Sequence, residues 1–167
     1  MHWLIDGHNL IGQMPNLRLS DTNDEAQLLE YLRRYRARTG HRLTVIFDAG
    51  QTYQPGEKKK LGDLTIQFAP HGQTADRIIM RRLRRVQNPQ AVGVVSSDRA
   101  VQQAAQQARV RAVSAQEFGQ QLLQLSAGTR SGENEDEQAD IHLSADEVDE
   151  WLAIFGQEND DPQNSTR

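Results

Sequence analysis

Four short apolar runs in this chain are each followed by an aspartate, and that rhythm restricts the fold more than any other feature. Residues 3–5 lead into Asp6, and residues 43–47 lead into Asp48. Residues 64–68 alternate in character between Gly62 and Pro70, and Asp76 follows in the next helical segment. Residues 91–95 are apolar and rich in valine and lead through Ser96 and Ser97 to Asp98. A fifth candidate strand spans residues 110–113. Runs this short and this apolar read as buried strands of a parallel sheet.

Helical spacing fills the gaps. Leu28, Leu32 and Tyr35 fall at i, i+4, i+7 within residues 24–38, and Ile79, Leu83 and Val86 repeat the pattern within residues 74–86. Val101, Ala104, Ala105 and Ala108 line a further helix, and Phe118, Leu122 and Leu125 another. Alternating strand and helix predicts an α/β fold with a mainly parallel central sheet flanked by helices.

The length of 167 residues suits one domain with a short appendage. The expected domain is 1–125. Residues 126–143 are rich in acidic and small side chains and read as a flexible linker. Ser144 and Glu147 form a capping box that opens a C-terminal helix over 144–156, with Val148, Trp151, Leu152 and Phe155 on one face. Residues 157–167 read as a disordered tail. Charge divides along the same line. Residues 1–125 hold 17 Lys and Arg against 11 Asp and Glu, a balance of +6. Residues 126–167 hold 2 against 12, a balance of −10, so the formal total of −4 describes neither part. A basic body can meet a polyanion, and the acidic segment is a candidate competitor for the same surface.

The chain has no cysteine, which excludes disulfides, thiolate zinc sites and a cysteine nucleophile. No apolar run is long enough for a membrane span and no secretory leader opens the chain, so the expected location is cytoplasmic.

In open α/β sheets, ligands bind outside the carboxyl ends of the strands. Asp6, Asp48, Asp76 and Asp98 are therefore expected to approach one edge. Clustered carboxylates raise one another's pKa unless a cation neutralises them. Hard oxygen donors select Mg²⁺ or Mn²⁺ over zinc. Such an ion activates water and stabilises charge on phosphate, the logic of phosphodiester cleavage. Other chemistries lack their motifs: there is no phosphate-binding G-x-x-x-x-G-K-[ST] loop, no G-x-G-x-x-G and no G-x-S-x-G. An aspartyl-phosphate phosphatase would want a second carboxylate two residues after Asp6, where His8 stands. Lys58, Lys59 and Lys60 in the loop after Asp48, and the outward stripe Arg77, Arg81, Arg84 and Arg85, are candidate phosphate-backbone contacts. Arg33, Arg34, Arg36 and Arg38 read as a solvated helix end. Simpler roles compete at single positions: Asn9 and Thr74 as helix caps, Ser97 as a turn residue, His71 as incidental and Trp3 as core.

Asp6-Gly7-His8-Asn9, Phe47-Asp48-Ala49, Thr74-Ala75-Asp76 and Ser96-Ser97-Asp98-Arg99, in this order, resemble the YacP-like NYN family of PIN-like nucleases. Ser114 to Phe118 resembles the start of that family's last domain helix. The resemblance implies a PIN-like sheet and a divalent-metal endoribonuclease acting on RNA. It implies Asp6, Asp76 and Asp98 as the metal site for Mg²⁺ or Mn²⁺, with Asp48 assisting. Cleavage would use a metal-activated water and leave a 5′-phosphate and a 3′-hydroxyl, with Asn9 and Ser97 orienting phosphate or water. Arg99 joins the lysines and arginines as an RNA contact. The expected partner is RNA, with the ribosome or translation-associated RNA as candidates, and no membrane. His8 replaces the family's usual tyrosine, Gln73 a common glutamate, and Met80 and Val101 stand where glutamate is frequent, so the outer acidic shell is thinner. The rival functions are a non-catalytic RNA-binding module on the same fold, and a metal-dependent nuclease or phosphatase acting on DNA or small phosphoesters.

Overall fold

The computed structural model describes residues 1–49 and 56–128. The expected helix at 144–156, the tail at 157–167 and nearly all of the linker at 126–143 lie outside the described residues. In chain order the elements are β1 (His2–Asp6), α1 (Gly7–Gln13), α2 (Asp24–Thr39), β2 (Arg42–Phe47), β3 (Lys58–Leu61), β4 (Leu64–Phe68), α3 (Ala75–Leu83), a 3-10 turn at Pro89–Ala91, β5 (Val92–Val95), α4 (Arg99–Gln107), β6 (Arg111–Val113) and α5 (Ala115–Ala127). Together they build the expected α/β architecture, with helices flanking a mainly parallel central sheet.

The sheet runs β3-β4-β2-β1-β5-β6. All neighbours are parallel except β3, which pairs antiparallel with β4. Five strands match the apolar runs. The sixth, β3, corrects an expectation: Lys58, Lys59 and Lys60 lie on an edge strand rather than in a loop. Three consecutive lysines conceal the strand signal, yet lysine is a common edge residue because it discourages pairing with another chain. The helix expected through Val86 ends at Leu83, and α5 runs two residues past the expected domain limit.

Side chains on β1 point alternately to the two faces. Trp3 meets Phe118 of α5, their ring centroids 5.6 Å apart, and Phe118 meets Tyr35 of α2 at 5.0 Å. Leu4 faces the other way, in a core with Ile46, Val94, Ile79 and Leu83, closed by Val101 and Ala105 of α4. Thus α1, α2 and α5 pack on one face and α3 and α4 on the other. The helices after β1 and after β5 lie on opposite faces, so a crevice opens between those two strands at their carboxyl ends. Among the described residues, no helix is long and apolar enough to cross a membrane.

Candidate active site

β1 ends at Asp6 and the chain turns directly into α1. The Asp6 Oδ1 caps that helix by accepting from the Asn9 backbone N–H at 3.3 Å. Glycine is required next: a Cβ on Gly7 would lie 2.3 Å from the Phe47 ring, closer than real contacts allow. Asn9 therefore sits inside the helix and does not cap it. Its Oδ1 accepts from the Ser97 backbone N–H at 2.8 Å, tying the end of β1 to the loop after β5 across the crevice. Ser97 is more than a turn residue, because its Oγ accepts from the Ala115 N–H at 3.1 Å and anchors the start of α5.

Asp48, just past β2, accepts from the Ala75 N–H through Oδ1 at 2.7 Å. Thr74 occupies the N-cap position of α3, but its side chain makes no capping bond. The cap is supplied by Asp48 instead, which brings that carboxylate to the helix turn that carries Asp76. Asp98 caps α4, its Oδ1 accepting from Ala100 at 2.8 Å and Val101 at 3.1 Å, while its own N–H donates to the buried Ser96 Oγ at 3.1 Å. Each of these caps satisfies orphan N–H groups at a positive helix end, where an anion is favoured.

Asp6 is 8 % exposed, and burial lifts its carboxyl from 3.8 to about 6. The Asn9 N–H opposes the rise, Asp48 and Asp76 add to it, and His8 opposes it again. The structure therefore couples Asp6, Asp48 and Asp76 electrically, and it links Asp98 to them through Asn9 and Ser97.

The sequence reading missed three further participants. His8 Nε2 lies 2.9 Å from Glu25 Oε1 of α2, and its Nδ1 lies 3.8 Å from Asp48 Oδ2. Burial works against charge on His8, but the Glu25 hydrogen bond and charge, with Asp48 and Asp24, raise its pKa on balance. Asp24 is itself buried, which raises its carboxyl, and it accepts from the Glu25 N–H at 2.7 Å. No sequence motif marks Asp24 and Glu25: they look like the acidic first turn of any helix. His8 stood inside the first motif and was read only as a departure.

Among the described residues, no three carboxylate or imidazole groups are gathered closely enough to hold an ion as they stand. The donor chemistry nevertheless fits a hard divalent cation. Asp6, Asp48 and Asp76 are oxygen donors whose mutual repulsion raises the Asp6 pKa, and a cation would reverse that effect.

Arg77 and Arg81 on α3, Arg84 and Arg85 just past its end, and Arg99 at the start of α4 are all exposed. Arg81 donates to Gln73 Oε1 at 3.0 Å. Arg82 instead turns inward to the buried Gln67. Lys58 and Lys60 are exposed, whereas Lys59 is half-buried with its Nζ 3.3 Å from Glu57. Of the arginines on α2, Arg33 and Arg34 pair with Glu30, and Arg36 donates to the Leu61 carbonyl at 2.8 Å.

The profile of the YacP-like NYN domain matches residues 3–155, including most of the 144–156 segment. No curated protein matches the chain. Among solved structures, Rae1 (YacP) from Bacillus subtilis is similar at 24% identity with a TM-score of 0.66, covering 78% of each chain. A single-substitution mutant of Rae1 from the same organism is similar at 23% identity with a TM-score of 0.64, covering 92% of this chain and 91% of that one. At these identities the likeness concerns the fold.

Proposed function

The chain belongs to the YacP-like NYN domain family, whose fold is that of PIN-like nucleases, and from that premise we propose that it is a divalent-metal-dependent endoribonuclease. The observation that carries the reading is the coupling of Asp6, Asp48 and Asp76 at the carboxyl edge of the sheet, with Asp6 lifted to about 6. Asp6, Asp48 and Asp76 would hold Mg²⁺ or Mn²⁺, with Asp98 contributing from the far side of the crevice. When bound, the ion supplies activation of water and neutralisation of charge on the phosphate.

The residues of the chain do the rest. Asp48 and Asp98 each commit Oδ1 to a helix N-terminus, which fixes their orientation and leaves Oδ2 for a ligand. Asn9 holds the β1 and β5 loops in register, so the two sides of the crevice keep a constant separation. With Oδ1 bonded to the Ser97 N–H, the Asn9 Nδ2 is the group that would orient phosphate or water. Arg77, Arg81, Arg84 and Arg99 rise from the α3 and α4 side, with Lys58 and Lys60 on the neighbouring edge strand. Asp24 and Glu25 make the α2 side acidic. An RNA backbone is therefore favoured over α3 and α4 and disfavoured over α2. Hydrolysis that leaves a 5′-phosphate and a 3′-hydroxyl, RNA of the translation apparatus as partner, and a cytoplasmic location complete the reading.

The experiment is cleavage of single-stranded RNA in Mg²⁺ or Mn²⁺ by the wild type and by the Asp76→Asn and Asp98→Asn variants. Metal-dependent cleavage lost in both variants is expected. Equal cleavage by all three, or cleavage indifferent to EDTA, refutes the reading. RNA binding without cleavage by the wild type identifies a binding module on the same fold.

A further inference from the structure

Resting on the reading of this edge as a metal-dependent nuclease site, we infer that His8 and Glu25 are a positioning pair that sets the second-strand aspartate, Asp48. The pair joins three elements: His8 stands on α1, Glu25 on α2 and Asp48 at the end of β2. The His8 Nε2 meets Glu25 Oε1 at 2.9 Å. On the opposite side of the ring, Nδ1 lies 3.4 Å from the Asp48 backbone nitrogen. A backbone N–H can only donate, so where this bond forms the ring is neutral, Nδ1 accepts and the single ring proton resides on Nε2, where it is donated to Glu25. Glu25 thereby selects the tautomer, and the tautomer gives Asp48 its backbone acceptor.

The ring is braced in this position. It packs against Phe47 with centroids 5.2 Å apart, and Phe47 is the residue before Asp48. The ring is thus held by the strand end that it orients. Asp48 is then fixed at two points, through its N–H to His8 and through Oδ1 to the Ala75 N–H. Its Oδ2 is left 3.8 Å from Nδ1, too far for a hydrogen bond but close enough to limit where that oxygen can go. Outer partners that orient a ligand typically change metal affinity by about 10–100-fold when removed. Glu25 is only 15 % exposed in its side chain, so it is not a freely solvated surface carboxylate.

The test uses the full chain, with Mn²⁺ alone as the probe in calorimetry and single-stranded RNA in a separate kinetic assay. His8→Ala and Glu25→Ala are compared with His8→Asn, which keeps an acceptor near Nδ1, and with Glu25→Gln, which keeps an oxygen for the Nε2 proton. The alanine variants are expected to weaken Mn²⁺ binding about tenfold. They should lower kcat while leaving KM for RNA unchanged, with the folded fraction checked by circular dichroism. The Asn and Gln variants should recover most of the affinity, which a merely structural tie between α1 and α2 does not require. Should His8→Ala fail to fold, Glu25→Ala carries the same comparison. Mn²⁺ affinity within about twofold of wild type in the folded alanine variants overturns the inference. So does failure of both conservative variants to recover. A wild type that binds Mn²⁺ but leaves RNA intact overturns the nuclease reading alone, and the Mn²⁺ comparison still decides the pair. A wild type that binds no Mn²⁺ overturns both.

Discussion

Replacing Asp6 with asparagine should stabilise the metal-free protein at neutral pH relative to acid pH. The Asp6 carboxyl is lifted from 3.8 to about 6, chiefly by burial and further by Asp48 and Asp76. A raised carboxyl pKa means that the folded protein binds a proton more tightly than the unfolded chain. The resulting penalty is absent well below the unfolded pKa, grows as pH rises, and is complete above the folded value. A shift of about two units corresponds to about 3 kcal/mol at full ionisation. Linkage puts about 1 kcal/mol of this penalty at about pH 4.5 and about 3 kcal/mol at about pH 7.5. Asparagine removes the charge and keeps an Oδ1 for the Asn9 N–H, and it caps helices as well as aspartate does. Whatever its amide costs in the buried site is the same at both pH values. The difference in stability, variant minus wild type, should therefore increase by about 2 kcal/mol across that interval. Urea unfolding in EDTA at the two pH values measures it. A pH-independent difference, or a change of opposite sign, refutes the argument that burial and neighbouring carboxylates hold Asp6 at a cost in stability.

Other outcomes follow from the same geometry. Gly7→Ala should destabilise the fold by about 3 kcal/mol, because the new methyl meets the Phe47 ring; denaturant unfolding within about 0.5 kcal/mol of wild type contradicts this. Asn9→Ala should cost about 1–2 kcal/mol by leaving the Ser97 N–H without its acceptor, and it should slow RNA cleavage; unchanged stability and rate would show that the bond across the crevice is idle. Combined Arg77→Ala, Arg81→Ala and Arg84→Ala substitutions should reduce the slope of log affinity for single-stranded RNA against log salt by about 2, read by fluorescence anisotropy. An unchanged slope removes α3 from the RNA path.

Much of the fold was legible because burial on both faces of a parallel strand demands short continuous apolar runs, and residues 3–5, 43–47 and 92–95 have them. The strand β3 was not legible, because its inward residue Leu61 stands alone beside three lysines and only pairing with β4 makes the segment a strand. In the site, the four aspartates were visible because strand ends face one edge in any such sheet. Their division of labour was not. That Asp48 rather than Thr74 caps α3, and that Asn9 bridges to Ser97, are contacts over 27 and 88 residues of chain. Local spacing carries no information at that range. Glu25 was hidden for the same reason, since an acidic first turn looks identical whether it faces water or His8.

By itself, then, the sequence determined the α/β class and the delivery of Asp6, Asp48, Asp76 and Asp98 to the carboxyl ends of the strands, because hydrophobic period and strand direction are local properties. Only the tertiary structure decided which carboxylates feel one another. Burial and charge act through space, and the packing of α1 and α2 over the sheet brought His8 and Glu25 to Asp48 while it left Asp98 at the head of α4.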